Sequence, residues 1–223
     1  MQMKKYFVEI VLGIVMVLIV LAVSAWQSSE TLSKTEVDTY IGILEKGIPV
    51  EWEERNEFIA RMREWGKGDD GKPVYMLNLM RYYDQIKPTA GVPETLTPME
   101  ANEHYEDVAK TMLLASGSYP LFGGDTSRIL EGQKKSNLMV FEPELDNWDR
   151  VLVVRYSGRR AFFELVTDPE YLKVMPYKRA ALKYVLTPVS GDIVIPDIRW
   201  IAGGICLTIF LLVGWLRSTR RAM

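Results

Sequence analysis

Val74-Tyr75-Met76-Leu77-Asn78-Leu79-Met80-Arg81-Tyr82 is the stretch on which the fold turns. Successive side chains of a strand point to opposite sides of a sheet, so Val74, Met76, Asn78 and Met80 share one face and Tyr75, Leu77, Leu79 and Arg81 the other. Both faces are largely apolar, so both call for cover. Asn78 interrupts the run, and a carboxamide amid apolar neighbours must find hydrogen-bond partners or cost about 1–3 kcal/mol.

Downstream, Thr97-Pro98-Met99-Glu100 is a capping box with proline at the first helical position. It opens a helix to about Ser116, which Gly117 ends. Tyr119–Leu130 reads as a strand whose Gly123-Gly124 pair marks a bulge or close backbone approach, and Leu138–Phe141 as a short strand or hairpin. Val151–Tyr156 is a strand, Gly158–Thr167 and Pro169–Leu182 are helices, and Tyr184–Val189 is a last strand. The order is βαββαβ, with the helices expected on one sheet face.

Upstream, Ser33-Lys34-Thr35-Glu36 is a second capping box, followed by Val37, Tyr40, Ile41 and Leu44 at helical spacing. Pro49 is expected to start another helix, with Trp52, Phe58, Ile59, Met62 and Trp65 on its apolar side. Glu51, Glu53, Glu54 and Glu57 make its polar face acidic, whereas helices that lie on membranes are usually basic. These helices are expected to pack on the domain.

The ends of the chain differ from its middle. Tyr6–Trp26 and Trp200–Leu216 are apolar runs, the first interrupted only by Glu9, and about 20 apolar residues cross a bilayer. Lys4, Lys5 and the small-residue stretch Val23-Ser24-Ala25 also suit a cleaved signal peptide, but the apolar run is longer than such a peptide needs. Lys4 and Lys5 precede the first run and Arg217, Arg220 and Arg221 follow the second. The positive-inside rule then puts both termini in the cytoplasm and the middle domain outside, in a two-pass cell (inner) membrane protein. Trp26 and Trp200 fall at the outer headgroup level and Trp215 and Arg217 at the inner one, as interfacial anchors do. Gly203, Gly204 and Thr208 offer a small-residue face for close helix contact.

The chain thus divides into an anchor (1–26), juxtamembrane helices (27–70), an α+β domain (71–190), a linker (191–199), a second membrane helix (200–216) and a basic tail (217–223). Of 223 residues, 48% are hydrophobic and 25% charged, which excludes a disordered, collagen-like or disulfide-scaffold protein. The middle holds every acidic residue but Glu9, while Lys4, Lys5, Arg199, Arg217, Arg220 and Arg221 lie outside it. So acidic a domain is no general nucleic-acid binder. The single cysteine, Cys206, falls in the second membrane run, so no intrachain disulfide forms.

Taken together, Gly71–Tyr82, Gly123-Gly124, Trp148–Tyr156, Asp168-Pro169-Glu170-Tyr171 and Lys178-Arg179-Ala180-Ala181-Leu182 resemble the DUF1330 family of the dimeric α+β barrel superfamily, over about residues 71–190. The resemblance implies a ferredoxin-like βαββαβ unit whose open sheet face pairs with a second copy. It carries no settled activity. This chain departs from the family in its two anchors and in an apparent insertion over Lys134–Asn147.

Phosphate-binding glycine loops, nucleophile elbows and cysteine pairs are missing from the sequence, and one histidine cannot make a multi-histidine metal site. No motif names a cofactor. His104 is a candidate general base or axial haem ligand, weighed against a surface histidine near a helix N-terminus. Asn78, His104, Arg81 and Arg155 are the candidate lining of a ligand pocket, the arginines facing an anion. Trp148-Asp149 is expected to position backbone at a strand entrance, and Tyr171 and Arg179 to pack. The favoured expectation is a non-catalytic accessory module that binds membrane lipid through its anchors and pairs, through the open sheet face, with itself or another membrane-protein subunit. The alternative is an α+β barrel enzyme or sensor for a small molecule. A weaker expectation is that the acidic juxtamembrane helices dock a basic protein.

Overall fold

A computed structural model describes residues 3–129, 131–133, 135–139, 143–189 and 198–222, with the side chains of 3–6 and 221–222 left out. In chain order the elements are α1 (Met3–Trp26), α2 (Lys34–Gly47), α3 (Arg55–Lys67), β1 (Val74–Tyr82), α4 (Pro98–Ala115), β2 (Tyr119–Asp125), β3 (Arg150–Tyr156), α5 (Arg159–Thr167), α6 (Pro169–Ala181), β4 (Leu182–Val189) and α7 (Ile198–Ala222). They form two units, Ser29–Ser190 and the terminal segments Met1–Ser28 with Gly191–Met223.

In the larger unit an antiparallel sheet runs in the order β2-β3-β1-β4. Val74, Met76, Asn78 and Met80 are buried and their alternates only half-buried. The buried face meets α4, α5 and α6 through Val154, Tyr156, Tyr105, Phe162, Val174 and Met175. Among the described residues no helix covers the other face, on which Tyr75, Leu77 and Leu79 are half-buried.

The helices before the sheet belong to the same core. Val37, Ile41 and Leu44 of α2 are buried in it, and Tyr40 and Trp65 lie against Phe163 of α5. Arg160 of α5 ties down the chain entering α2, donating to Glu36 at 2.7 Å and to the carbonyls of Glu30 and Thr31. That hydrogen bond, with those from Ser33, pulls the Glu36 carboxyl down to about 2. Both capping boxes form, Ser33 with Glu36 and Thr97 with Glu100.

Some boundaries differ from expectation. Pro49 does not start a helix: residues 49–54 make tight turns and α3 begins at Arg55. The Arg55 guanidinium donates to the carbonyls of Ile48 and Glu45, and Trp52 packs on Phe58, which folds this stretch back onto α2. Glu51, Glu53 and Glu54 are therefore exposed ahead of the helix, with only Glu57 on it. Strand β2 stops at Asp125, where Thr126 turns to bond the Asp149 and Trp148 carbonyls. Its register shift falls between Pro120 and Phe122. Gly123 is instead the close approach, since a Cβ there would sit 2.9 Å from Leu152. Leu138 and Met139 form a bend, and residues 140–141 of the expected hairpin lie outside the described residues, as do 191–197 of the linker.

In the terminal unit, α1 and α7 are both long and apolar enough to cross a membrane. Glu9 pairs with Arg217 at 2.7 Å, and the space beside Gly13 is filled by the Phe210 ring. These contacts make the helices antiparallel neighbours. Gly203 and Gly204 face open space, so the small-residue face is not the one α1 and α7 share. Trp26, Trp200 and Trp215 are exposed, on the outside of this pair.

Candidate functional site: a buried lysine between helices and sheet

The four residues expected to line one pocket do not meet. Asn78 points to the helix side of the sheet, only 4% exposed. Arg81 and Arg155 share strand registers with the opposite side, where Arg155 lies opposite Tyr75 and over the Tyr119 ring, 1% exposed. Arg81 stacks on Trp148, 5.1 Å from its centroid, and donates to the Glu144 carbonyl at 2.7 Å. The pleat separates these groups, because alternate residues of a strand cannot reach one cavity. His104 is exposed on α4, its ring tilted against that of Tyr177 with centroids 4.4 Å apart. Asp149 does position backbone, accepting from the Tyr82 N–H at 2.8 Å.

What Asn78 does meet is Lys178. Its amide Nδ2 donates to the carbonyls of Met76 and Leu152, at 3.2 and 3.4 Å, which leaves Oδ1 to accept from Lys178 Nζ at 3.4 Å. The ammonium also lies over the rings of Tyr105 and Tyr184, 5.1 and 4.6 Å from their centroids. Lys178 is 8% exposed, and burial pulls its amine down to about 8, an effect the Glu106 charge only partly opposes.

The tyrosines around it are pushed the other way. Burial raises Tyr105, Tyr171 and Tyr184 above the ordinary phenol range, so they hold their protons wherever the lysine titrates. Tyr105 and Tyr171 join hydroxyl to hydroxyl at 2.9 Å.

One carboxylate is buried nearby, and it is already occupied. Glu106 is met by Arg150 at 2.9 Å, Lys110 at 3.0 Å and the Asn102 amide at 3.0 Å. Burial alone would raise Glu106, but Lys110, Arg150 and Asn102 together bring it below the usual range. Among the described residues no carboxylate oxygen pairs with Lys178, and no group of three or more His, Cys, Asp or Glu is placed to hold a metal ion.

Lys178 was missed in the sequence although a signal exists. Tyr171, Val174, Met175, Lys178 and Ala181 fall at helical spacing, which puts a lysine in an apolar stripe. Tyr171 packs as expected, and Arg179 lies over Trp52. Two surface clefts lie elsewhere, one of about 470 Å³ beside Glu9, Gly13 and Phe210 and one of about 380 Å³ beside Glu45, Arg55 and Arg63.

Comparison with known proteins places the architecture. No protein-family model and no curated protein matches the chain. A protein of unknown function from Rhodopseudomonas palustris matches at 23% identity over 66% of this chain and 96% of its own, with a TM-score of 0.49, and its methylated form reaches 0.50. SnoaB, a cofactor-independent oxygenase from Streptomyces nogalater, matches at 12% identity over 56% of this chain and 99% of its own, with a TM-score of 0.33. The fold is α+β, a four-stranded antiparallel sheet with helices. What the chain has in common with the Rhodopseudomonas protein is this fold.

Proposed function

We propose that the chain is a two-pass membrane protein with a DUF1330-like, ferredoxin-like domain outside the cytoplasm, acting as a non-catalytic accessory module that pairs through its open sheet face. The partner is a second copy or another subunit of a membrane complex. One observation carries the reading: the helix-free face presents Tyr75, Leu77, Leu79, Val153, Val185 and Phe122, of which Phe122 is 65% exposed. A contiguous apolar patch on a sheet face marks an interaction surface.

The sheet order β2-β3-β1-β4 supports a ferredoxin-like unit. The antiparallel pairing of α1 with α7 supports termini on one side, and Lys4, Lys5 and Arg217 with Arg220 and Arg221 make that side the cytoplasm. Native mass spectrometry of the protein extracted gently from its membranes tests the pairing. A dimer, or a stoichiometric second subunit, is the expected result, and a monomer at micromolar concentration counts against it. Protease added to intact spheroplasts should cut the domain; cleavage only after lysis reverses the topology.

A further inference from the structure

We propose that the cleft between α1 and α7 is a binding site for one anionic phospholipid, its acyl chain lying in the cleft and its phosphate drawn to Arg217 and Arg220. The inference rests on the two-pass reading and deepens it, since it names the chemistry of the lipid that the membrane unit holds.

The cleft holds about 470 Å³ and is lined by Ile10, Gly13, Ile14, Val17 and Leu18 of α1 and Phe210 of α7, with Glu9 at one end. On α1 these residues recur at intervals of three and four, so they form one stripe. From Glu9 to Leu18 the helix rises by about 14 Å, close to half of a hydrocarbon core about 30 Å thick. The cleft is therefore as long as one leaflet is deep, with apolar walls along that length. Gly13 helps to keep it open, since a side chain there would start 3.4 Å from the Phe210 ring.

Charge gathers at the Glu9 end. Arg217 pairs with Glu9 through Nε at 2.7 Å, and its side chain is still 33% exposed. The two terminal nitrogens of the guanidinium remain for a second acceptor, and their paired N–H groups match a phosphate. Arg220, three residues on and so on the same side of α7, is exposed. Lys4 and Lys5 lie about one turn before Glu9 on α1, and Arg221 follows Arg220. Five cationic side chains thus belong to this end of the helix pair against the one carboxylate of Glu9. Such an excess of basic residues at headgroup level attracts anionic lipid. The same charges select against a second copy as the occupant. Its helices would bring the same cations to the same level, whereas a phosphate supplies the missing negative charge.

The test is native mass spectrometry of the full chain released from nanodiscs of phosphatidylcholine doped with phosphatidylglycerol of matched acyl chains. The expected result is one phosphatidylglycerol retained per chain, enriched at least about fivefold over its share of the bilayer. Arg220→Gln should lower that enrichment several-fold. Val17→Trp should fill the cleft and abolish retention of either lipid; Val17 is 58% exposed, so the change leaves the Gly13–Phe210 contact in place. A chain that inserts but retains no lipid, or retains both in bulk proportion, overturns this inference alone, as does undiminished retention in Val17→Trp. So does a Val17→Cys chain, with Cys206 replaced by alanine, that oxidises quantitatively to disulfide-linked dimers, because a neighbouring helix then fills the cleft. A chain that alkaline carbonate washes from the membrane overturns the two-pass reading, and this inference with it.

Discussion

Lys178 Nζ and Asn78 Oδ1 lie 3.4 Å apart across 100 residues of chain, joining α6 to the central strand β1. The contact gives the strand's carboxamide a partner and puts an ammonium in the interior. Its consequences for stability can be measured directly.

Lys178 sits at about 8 in the folded protein against an ordinary 10.5. The unfolded chain therefore binds more protons between these values, and stability should rise with pH from about 8 to 10. Above 10 the trend reverses, because the buried tyrosines hold protons that the unfolded chain has lost. Lys178→Met should flatten the rise; at pH 7 the relief from removing a buried charge, on the order of 3 kcal/mol, is offset by about 1–3 kcal/mol for the Asn78 oxygen left unpaired. Thermal unfolding at pH 7, 8, 9 and 10 checks both the slope and the sign.

Ile41 of α2 is fully buried in the core shared with the sheet. Ile41→Ala should cost about 2–5 kcal/mol, the range for large-to-small changes in a packed core. A change within about 0.5 kcal/mol, typical of a surface position, would mean that α2 is peripheral. Denaturant unfolding decides between them.

Leu77 lies in the middle of the helix-free face, opposite Val153 on one side and Thr187 on the other. Leu77→Glu places a charge in any partner contact while leaving the helix-side core untouched. The assembly should fall to single chains in native mass spectrometry with unfolding nearly unchanged. An intact assembly would show that pairing uses another surface.

Gly13 and Phe210 meet where α1 and α7 pack. With Cys206 replaced by alanine, a short bifunctional maleimide should link Gly13→Cys to Phe210→Cys within one chain. Links that form only between chains would mean that these helices pair between neighbouring copies.

The local elements were legible because their causes are local. Both capping boxes join residues three apart, and the β1 boundaries match the alternating apolar run. The start of α3 was misplaced because a distant element intervenes: Arg55 reaches back to the carbonyls of Glu45 and Ile48, and turns replace the first expected helical turn. The four candidate site residues are not brought together for a related reason. Asn78, Arg81, His104 and Arg155 were grouped by residue type, but which of them meet depends on strand parity and helix orientation.

By itself the sequence determined the periodicities, the caps, the βαββαβ order and the two apolar ends, since each depends on residues a few positions apart. Tertiary structure decided that, among the described residues, the helices pack on one face of β1 only, and that this face carries Asn78 onto Lys178. The sheet order β2-β3-β1-β4 and the packing of α4 and α6 make that choice. The groups around Lys178 come from β1, α4, α6 and β4, and they adjoin only once those four segments meet in space.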